Sequence, residues 1–351
     1  MSNLMMLEEG SSTTQVAGQT IVGSYGNDEA AREAFATGAA LVNRSHAGLI
    51  RLTGSTRQKY LHNQTTNHFN RLRAGESTEA VFVTSTARTI DLVTAIADDE
   101  SIWMMTSPER HAVLLNWMPR FVFFLDDVQF NDEKGNYALF SLLGPQSGAL
   151  LAALGAEAIV GQPAGRHLLL SIADAEGVRV LVGGGLVGEG YRLLVPAHQA
   201  DTVWRALREA GAEPMGHEMW ESLRIEQGRP AADRELTEKH NPLEAGLWEA
   251  VSFNKGCYIG QEIIARLDTY QKLKQQLWGL RLSAPVQPNT PVLVKNKEVG
   301  RITSVTDTPS GPFALAYIRT KAGGAGLSVQ VGEASAEVVD LPYITRKRSD
   351  I

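Results

Sequence analysis

Apolar residues occur with two different periodicities along the first three quarters of the chain. Apolar positions three or four residues apart predict helices at 28–44, with Asp28 as N-cap, and at 55–67, 108–124, 146–155, 198–211 and 216–230. Alternating apolar positions predict strands at 47–54, 80–98 (a hairpin with a break near 85–89), 101–107, 137–145, 166–174, 178–184 and 190–196. Helices mixed with antiparallel hairpins predict an α+β layered fold rather than a doubly wound parallel sheet.

The pattern changes after about residue 275, where short strands recur at near-regular spacing between Pro, Gly, Asn and Asp turns. This pattern of short strands and turns is typical of a small all-β barrel. We therefore expect three regions: a flexible N-terminal tail at 1–27, an α+β body at 28–274 and a C-terminal β-barrel domain at 275–351. Within the body, two α+β subdomains are expected to meet near 155–165.

Composition narrows the function classes. The chain has 351 residues and a formal net charge of −6, which argues against a general polyanion binder. Its only cysteine, Cys257, excludes an intramolecular disulfide and a cysteine-rich metal site and favours a cytoplasmic location. The eight histidines are not spaced like metal ligands, and no apolar run is long enough to span a membrane. We predict neither a metal site nor a membrane segment.

The stretch "GGGLVG" at 183–188 matches the dinucleotide-binding pattern G-x-G-x-x-G. That pattern binds phosphate only where a helix follows the glycines. Here the strand-like "GYRLLVP" at 190–196 follows instead. The stretch is therefore interpreted as a glycine-rich hairpin.

The predicted helix at 216–230 carries Trp220 and Arg224 and supports two interpretations. In the first, Trp220 belongs to the core and Arg224 pairs with Glu221 or Glu226 on the surface. In the second, the two side chains form an aromatic wall and a guanidinium that suit a flat heteroaromatic ring with a carboxylate tail.

Cys257, in "NKGCYIGQEIIAR", is also open to two interpretations. A lone cysteine is usually a small buried apolar side chain. Gly256 and Gly260 nevertheless leave little side-chain cover, and Lys255 together with the start of the next helix would favour a thiolate. Composition and spacing alone leave both interpretations open.

The segment "KGCYIGQE" resembles the signature of the YgfZ-type folate-binding proteins, a branch of the superfamily of the glycine cleavage T-protein. The stretches "NRSHAGLIRLTG", "LHNQTTN", "GEGYRLLVP", "SLRIEQGRP" and "VGRITSVTDTPSGPFALAYIR" follow in the family's order. The resemblance implies a T-protein-like body with a tetrahydrofolate, or a one-carbon derivative of it, as cofactor. The implied folate-binding residues are Trp220, Tyr191, Arg224, Lys255 and Tyr258, and the implied catalytic residues are Cys257 and Asp91.

The resemblance also implies a role: support of the assembly or repair of iron–sulfur enzymes, including tRNA-modifying ones. The expected partners are folate and iron–sulfur client enzymes, and the protein is expected to be a monomer without direct nucleic-acid binding. An alternative implied by the resemblance is a folate-dependent aminomethyltransferase-like enzyme, for which Asp91 is the counterpart of the T-protein's aspartate. Arg192 stands where the T-protein has an acid, and this weakens the case for that alternative. A third hypothesis, RNA binding, depends only on cations at 270–276 and 346–348, which are typical of a solvated surface.

Overall fold

A computed structural model describes residues 10–348. Its helices are α1 (Asp28–Thr37), α2 (Arg57–Gln64), α3 (His111–Trp117), α4 (Ser147–Ala153), α5 (Ala200–Glu209), α6 (His217–Gln227) and α7 (Gln261–Tyr270). Its strands are β1 (Ser12–Val16), β2 (Gln19–Ser24), β3 (Ala40–Asn43), β4 (Gly48–Thr53), β5 (Ser77–Val83), β6 (Thr89–Ala97), β7 (Ile102–Thr106), β8 (Gln129–Asp132), β9 (Tyr137–Leu143), β10 (His167–Ile172), β11 (Ala175–Val182), β12 (Gly190–Pro196), β13 (Glu213–Met215), β14 (Gln275–Leu282), β15 (Pro291–Val294), β16 (Lys297–Thr308), β17 (Gly311–Arg319), β18 (Ser328–Val331) and β19 (Ala334–Val339). Over residues 10–348, none of the helices combines the length and the apolar character needed to cross a bilayer.

The described chain divides into two compact units that alternate along the sequence. The first unit contains 10–60, 69–78 and 93–221, and the second contains 61–68, 79–92 and 222–348. This division differs from the linear one expected from the sequence, because short early segments are grouped with the C-terminal part. Strands from both sides of 155–165 also lie in one sheet, so no subdomain break is seen there.

The first unit is built on a six-stranded sheet in the order β10-β11-β12-β9-β3-β13. Strands β9 to β12 pair antiparallel, and only β13 runs parallel to its neighbour β3. One face of the sheet is covered by α4 and α5, and Leu41, Phe140, Leu151, Val180 and Trp204 belong to the resulting core.

A second sheet has the strand order β5-β6-β7-β4-β8. All nine residues of β6 are buried, so both faces of this strand are covered. The start of β6 (89–92) and most of β5 (79–83) belong to the second unit. Full burial of β6 makes the charged residue within it, Asp91, a conspicuous exception.

The second unit contains a closed barrel in the order β14-β17-β16-β15-β18-β19, with β19 pairing back to β14. Its interior is apolar and includes Leu280, Ile302, Ala316, Val331 and Val338. Closure leaves no free sheet edge, which is the usual solution for short antiparallel strands. The predicted combination of an α+β body and a C-terminal barrel is confirmed.

The N-terminal prediction needs correction. Residues 12–24, which were expected to belong to a flexible tail, form the antiparallel hairpin β1–β2. Ile21 and Val22 are 3% and 7% exposed, so the hairpin is anchored by buried apolar side chains. Residues 1–9 of the predicted tail lie outside the described residues.

Two helix predictions were too long. The helix expected over 28–44 ends at Thr37, where Gly38 follows and residues 40–43 pair with β9 as strand β3. The helix expected over 108–124 is regular only to Trp117, and a 3₁₀ turn containing Pro119 follows. In contrast, residues 183–188 do connect two antiparallel strands, β11 and β12, as the hairpin interpretation required.

Candidate functional site

Cys257 lies in an extended segment that leads into α7. Its side chain is a free thiol and it is exposed, unlike the buried cysteine of the inert interpretation. An exposed thiol can act as a nucleophile or a metal ligand without any unfolding of the chain. The structure therefore keeps the reactive interpretation open and rules out a core role for this side chain.

Lys255, two residues earlier, is buried and holds the segment in place. Its Nζ donates hydrogen bonds to the carbonyl oxygens of His62 at 2.5 Å, Thr65 at 2.7 Å and Asn67 at 2.6 Å. Burial lowers the pKa of Lys255 to about 7, whereas three simultaneous N–H donations are available only from the ammonium form. All three N–H groups therefore hold the backbone at and just after the C-terminal end of α2. The predicted contributions of Lys255 to folate binding and to thiolate stabilisation stay predictions.

Tyr258 follows Cys257 and packs in the same region. The Lys255 ammonium lies 4.6 Å from the centre of its ring, and the ring contacts an apolar cluster that includes Trp248 and Ile264. Burial raises the pKa of the Tyr258 hydroxyl. Lys255 and Tyr258 are thus brought together, and both sides of Cys257 are fixed by buried contacts.

Gly260 determines how the segment enters α7. Its φ is +80°, a left-handed conformation, and a Cβ there would lie 2.8 Å from the carbonyl oxygen of Thr84. A side chain would be both strained and too close to backbone. Gly256 is different, since an added Cβ would find only His62 Nε2, at an ordinary 3.6 Å.

His62 is the residue near Cys257 that sequence spacing did not reveal. It is buried beside Gly256, and its ring meets that of His68 edge to face at 4.7 Å. Desolvation, with help from the Lys255 charge, lowers the pKa of His62 to about 4, so the ring is neutral at pH 7. Its Nδ1 has no hydrogen-bond partner among the described residues. A neutral, buried imidazole therefore lies beside the cysteine segment.

Asp91 is fully buried in the second unit. Burial opposes the charge of Arg229, but the neighbouring Tyr343, Glu79 and, to a smaller extent, Asp91 raise the pKa of its guanidinium. Arg229 Nη1 lies 3.3 Å from Glu79 Oε1, and the Tyr343 hydroxyl donates to Glu79 Oε2 at 2.9 Å. A carboxylate at full burial needs such a compensating cation.

Arg224 is buried, unlike the surface cation of the first interpretation of the sequence. Its guanidinium is buried and pairs with the equally buried Glu235, with Nη1 and Oε2 3.1 Å apart. Nη2 also reaches Ser304 Oγ at 3.3 Å, and that hydroxyl donates to Glu235 Oε1 at 2.6 Å. Arg224 is thus held in a buried ion pair with Glu235, and its predicted role as a folate ligand stays a prediction.

Trp220, one turn earlier on α6, does meet a guanidinium, but that of Arg44. The Arg44 Cζ lies 3.5 Å from the ring centre, within the range of a strong cation–π contact. The His217 ring stacks near-parallel to Trp220 at 6.4 Å, and Trp220 Nε1 has no hydrogen-bond partner among the described residues. The aromatic wall and guanidinium that the sequence suggested are thus Trp220 and Arg44.

A small pocket lies next to this group. Its cavity volume is about 10 Å³, enough for one water molecule. The lining residues include Asn43, His46, Met215 and His217. Burial, then the charge of Arg44, holds the pKa of His46 well below its usual value, so His46 adds a neutral ring rather than a charge.

Tyr191 and Arg192 occupy neighbouring positions of β12 in the first unit. Tyr191 is 8% exposed and belongs to the core, with its hydroxyl against Gly148. Arg192 is held by the sheet: Nε donates to the Gly183 carbonyl and Nη1 to Thr94 Oγ1, both at 2.8 Å. Most of the Tyr191 side chain is thus buried in the core of the first unit, and Arg192 is bonded to its neighbours in the sheet.

The relatives of this chain point to one family. The profile of the GCVT N-terminal domain matches residues 5–255. An Arabidopsis thaliana protein described as a "putative transferase, chloroplastic" is 43% identical over 336 residues, which cover 95% of this chain and 78% of the relative. An aminomethyltransferase of Rubrobacter xylanophilus is 30% identical over 349 residues, covering 97% of this chain and 92% of the relative.

The fold agrees with these matches. The crystal structure of the glycine cleavage system aminomethyltransferase T from Bartonella henselae superposes with a TM-score of 0.85 at 18% identity and covers 97% of this chain and 96% of that one. The T-protein-like α+β fold with a C-terminal barrel is thereby confirmed. Since the profile spans most of the sequence and full-length relatives match beside it, the chain belongs to the GCVT family, the superfamily of the glycine cleavage T-protein.

Proposed function

We propose that this protein is a YgfZ-type, tetrahydrofolate-binding accessory protein that supports the assembly or repair of iron–sulfur enzymes, including tRNA-modifying ones. Cys257 is its key reactive group, and its site of action is the cytoplasm. The observation that carries the proposal is the exposed Cys257 thiol in a segment held rigid by Lys255 and Gly260. A fixed backbone on both sides of an exposed thiol holds that thiol in a defined position for reaction.

The folate part of the proposal rests on the family and on the Trp220–Arg44 pair. A tryptophan face and a guanidinium suit a pterin ring and the carboxylates of its tail, respectively. Relatives are named aminomethyltransferases, which fits a one-carbon carrier as ligand. Asp91 and Tyr258 stay in the proposal as residues of the reactive region, and Tyr191 as a residue at the folate site.

Calorimetric titration with tetrahydrofolate tests the ligand. Trp220→Ala is expected to weaken binding at least about 5-fold, because a stacked aromatic contact is worth roughly 1 kcal/mol beyond its buried area. Trp117→Ala, which removes a half-buried tryptophan of the same unit, serves as the matched control and should bind like the wild type. Equal affinity in Trp220→Ala and wild type would contradict the proposed site.

The role of the thiol is tested separately in cells that lack the protein. Cys257→Ala should bind tetrahydrofolate normally but fail to restore the activity of an iron–sulfur-dependent enzyme. Cys257→Ser is the conservative companion, since it retains a hydroxyl of similar size but not the thiolate. Full restoration by the alanine variant would remove Cys257 from the proposal.

A second candidate is a folate-dependent one-carbon transferase. It is favoured by the buried carboxylate of Asp91 and by the aminomethyltransferases among the relatives. It predicts turnover of a one-carbon tetrahydrofolate with an amine acceptor, and loss of that turnover in Asp91→Asn. Arg192 speaks against it, since a cation bonded into the sheet stands where an acid was expected.

RNA binding receives no support from the C-terminal cations. Arg346 Nε pairs with Asp340 Oδ1 at 2.8 Å, and its guanidinium lies 3.3 Å from the centre of the Trp278 ring. Arg348 pairs with Asp268. Both cations are neutralised within the second unit and offer little charge to a phosphate backbone.

A further inference from the structure

Three consecutive apolar residues of the first unit are largely exposed to solvent. Phe123, Phe124 and Leu125, here termed the apolar tip, are 70%, 100% and 82% exposed. Single exposed apolar residues are ordinary, but three adjacent large ones on one turn form a patch that soluble proteins reserve for interactions. No residue of the proposed site described above belongs to the tip.

The tip is rigid. Its turn is closed from both sides: the Asp126 amide donates to the Phe123 carbonyl at 2.9 Å, and the Phe123 amide donates to Asp126 Oδ2 at 2.9 Å. Asp127 then anchors the turn, because its Oδ2 accepts bonds from the amide and hydroxyl of Ser55, both at 2.7 Å. A preorganised loop loses little conformational freedom on binding, which is how exposed aromatic anchors produce affinity.

The charges beside the tip indicate what covers it. Asp126 and Asp127 follow it directly, and the bonds from Ser55 lower the pKa of Asp127, so its carboxylate is ionised at neutral pH. Arg120 lies at the other end of the same segment. Two carboxylates beside a patch repel anionic lipid. They complement a basic rim instead.

We propose that the apolar tip is the anchor for a partner protein, which receives Phe124 in an apolar pocket bordered by lysine or arginine side chains. This inference goes beyond the proposed function and does not depend on folate or on Cys257. Phe124, fully exposed and flanked by two other apolar side chains, is the central anchor. Asp126 and Asp127 select for the basic rim.

The experiment uses the full-length protein in its native cells. A photocrosslinking phenylalanine analogue replaces Phe124 or, as a control, Leu169, which is 61% exposed on β10 of the same unit. A protein crosslinked at position 124 and not at 169 is identified, purified and titrated with wild type, Phe124→Ser and Leu169→Ser. We expect Phe124→Ser to weaken binding about 30-fold or more, as for a central anchor, and Leu169→Ser to leave it within about 2-fold.

The wild-type affinity should also fall as salt rises, because the rim contacts are between charges. Phe124→Ser should keep the wild-type melting temperature, since its side chain packs against nothing. The proposal is overturned if position 124 crosslinks no protein in preference to position 169, or if the crosslinked protein binds Phe124→Ser as it binds wild type. It is also overturned if Phe124 is needed instead for flotation with vesicles of phosphatidylcholine and phosphatidylglycerol, or for dimerisation in sedimentation.

Discussion

Replacing Arg224 with methionine separates a structural role from a ligand-binding one. The Glu235 side chain is 0% exposed, so the substitution leaves a carboxylate in the interior without its cation. Ser304 Oγ and the Ala231 amide still donate to that carboxylate, at 2.6 and 3.0 Å, but neither carries a charge. Breaking one partner of a buried pair in this way costs about 3–5 kcal/mol.

Chemical denaturation followed by circular dichroism measures this cost. Arg224→Met should unfold at a clearly lower denaturant concentration than wild type. Arg301→Met provides the matched control: Arg301 pairs with Glu298, and both side chains are about half exposed, so a change below about 1 kcal/mol is expected. The double variant Arg224→Met, Glu235→Leu should recover part of the loss, because no unpaired charge remains buried.

Titration with tetrahydrofolate completes the test. Arg224→Met, studied below its unfolding transition, should bind folate within about 2-fold of wild type, because the guanidinium is enclosed by Glu235 and Ser304. The reasoning is refuted if Arg224→Met is as stable as wild type but loses folate affinity. That result would return Arg224 to the ligand-binding role that the sequence suggested.

Three further outcomes test the region around Cys257. Folding lowers the pKa of His62 from 6.5 to about 4, so the unfolded chain binds more protons between these pH values. The stability is therefore fully present above pH 6.5 and falls as the pH is lowered towards 4, and His62→Gln should flatten a denaturation series across this range. An unchanged slope would contradict the burial of this ring. Gly260→Ala should lower stability by about 1–3 kcal/mol in thermal unfolding, because its Cβ would press on Thr84 in a left-handed conformation, whereas Gly256→Ala should change it little; equal effects would argue against the described turn. Native protein should react with one equivalent of Ellman's reagent per chain, since Cys257 is the only cysteine and is exposed, and a thiol that reacts only after denaturation would show that it is covered.

The sequence by itself determined the architecture and the location of the reactive segment. Alternating and helical apolar patterns report local geometry directly, which is why the barrel strands after 275, the hairpin around 85–89 and the hairpin at 183–188 were predicted. The predictions that were too long, such as the helix over 28–44, arose where "ALVN" is apolar enough for either element and pairing with β9 decided for a strand.

Only the tertiary structure decided which side chains meet. Trp220 and Arg224 share a helix, yet Trp220 contacts Arg44 and Arg224 contacts Glu235, because helical spacing fixes a direction but not the partner that packing supplies. Lys255 stands two residues from Cys257, but its buried ammonium donates to three backbone carbonyls. The sequence thus located the lone thiol, and long-range packing determined that it is exposed and that a neutral, buried histidine lies beside its segment.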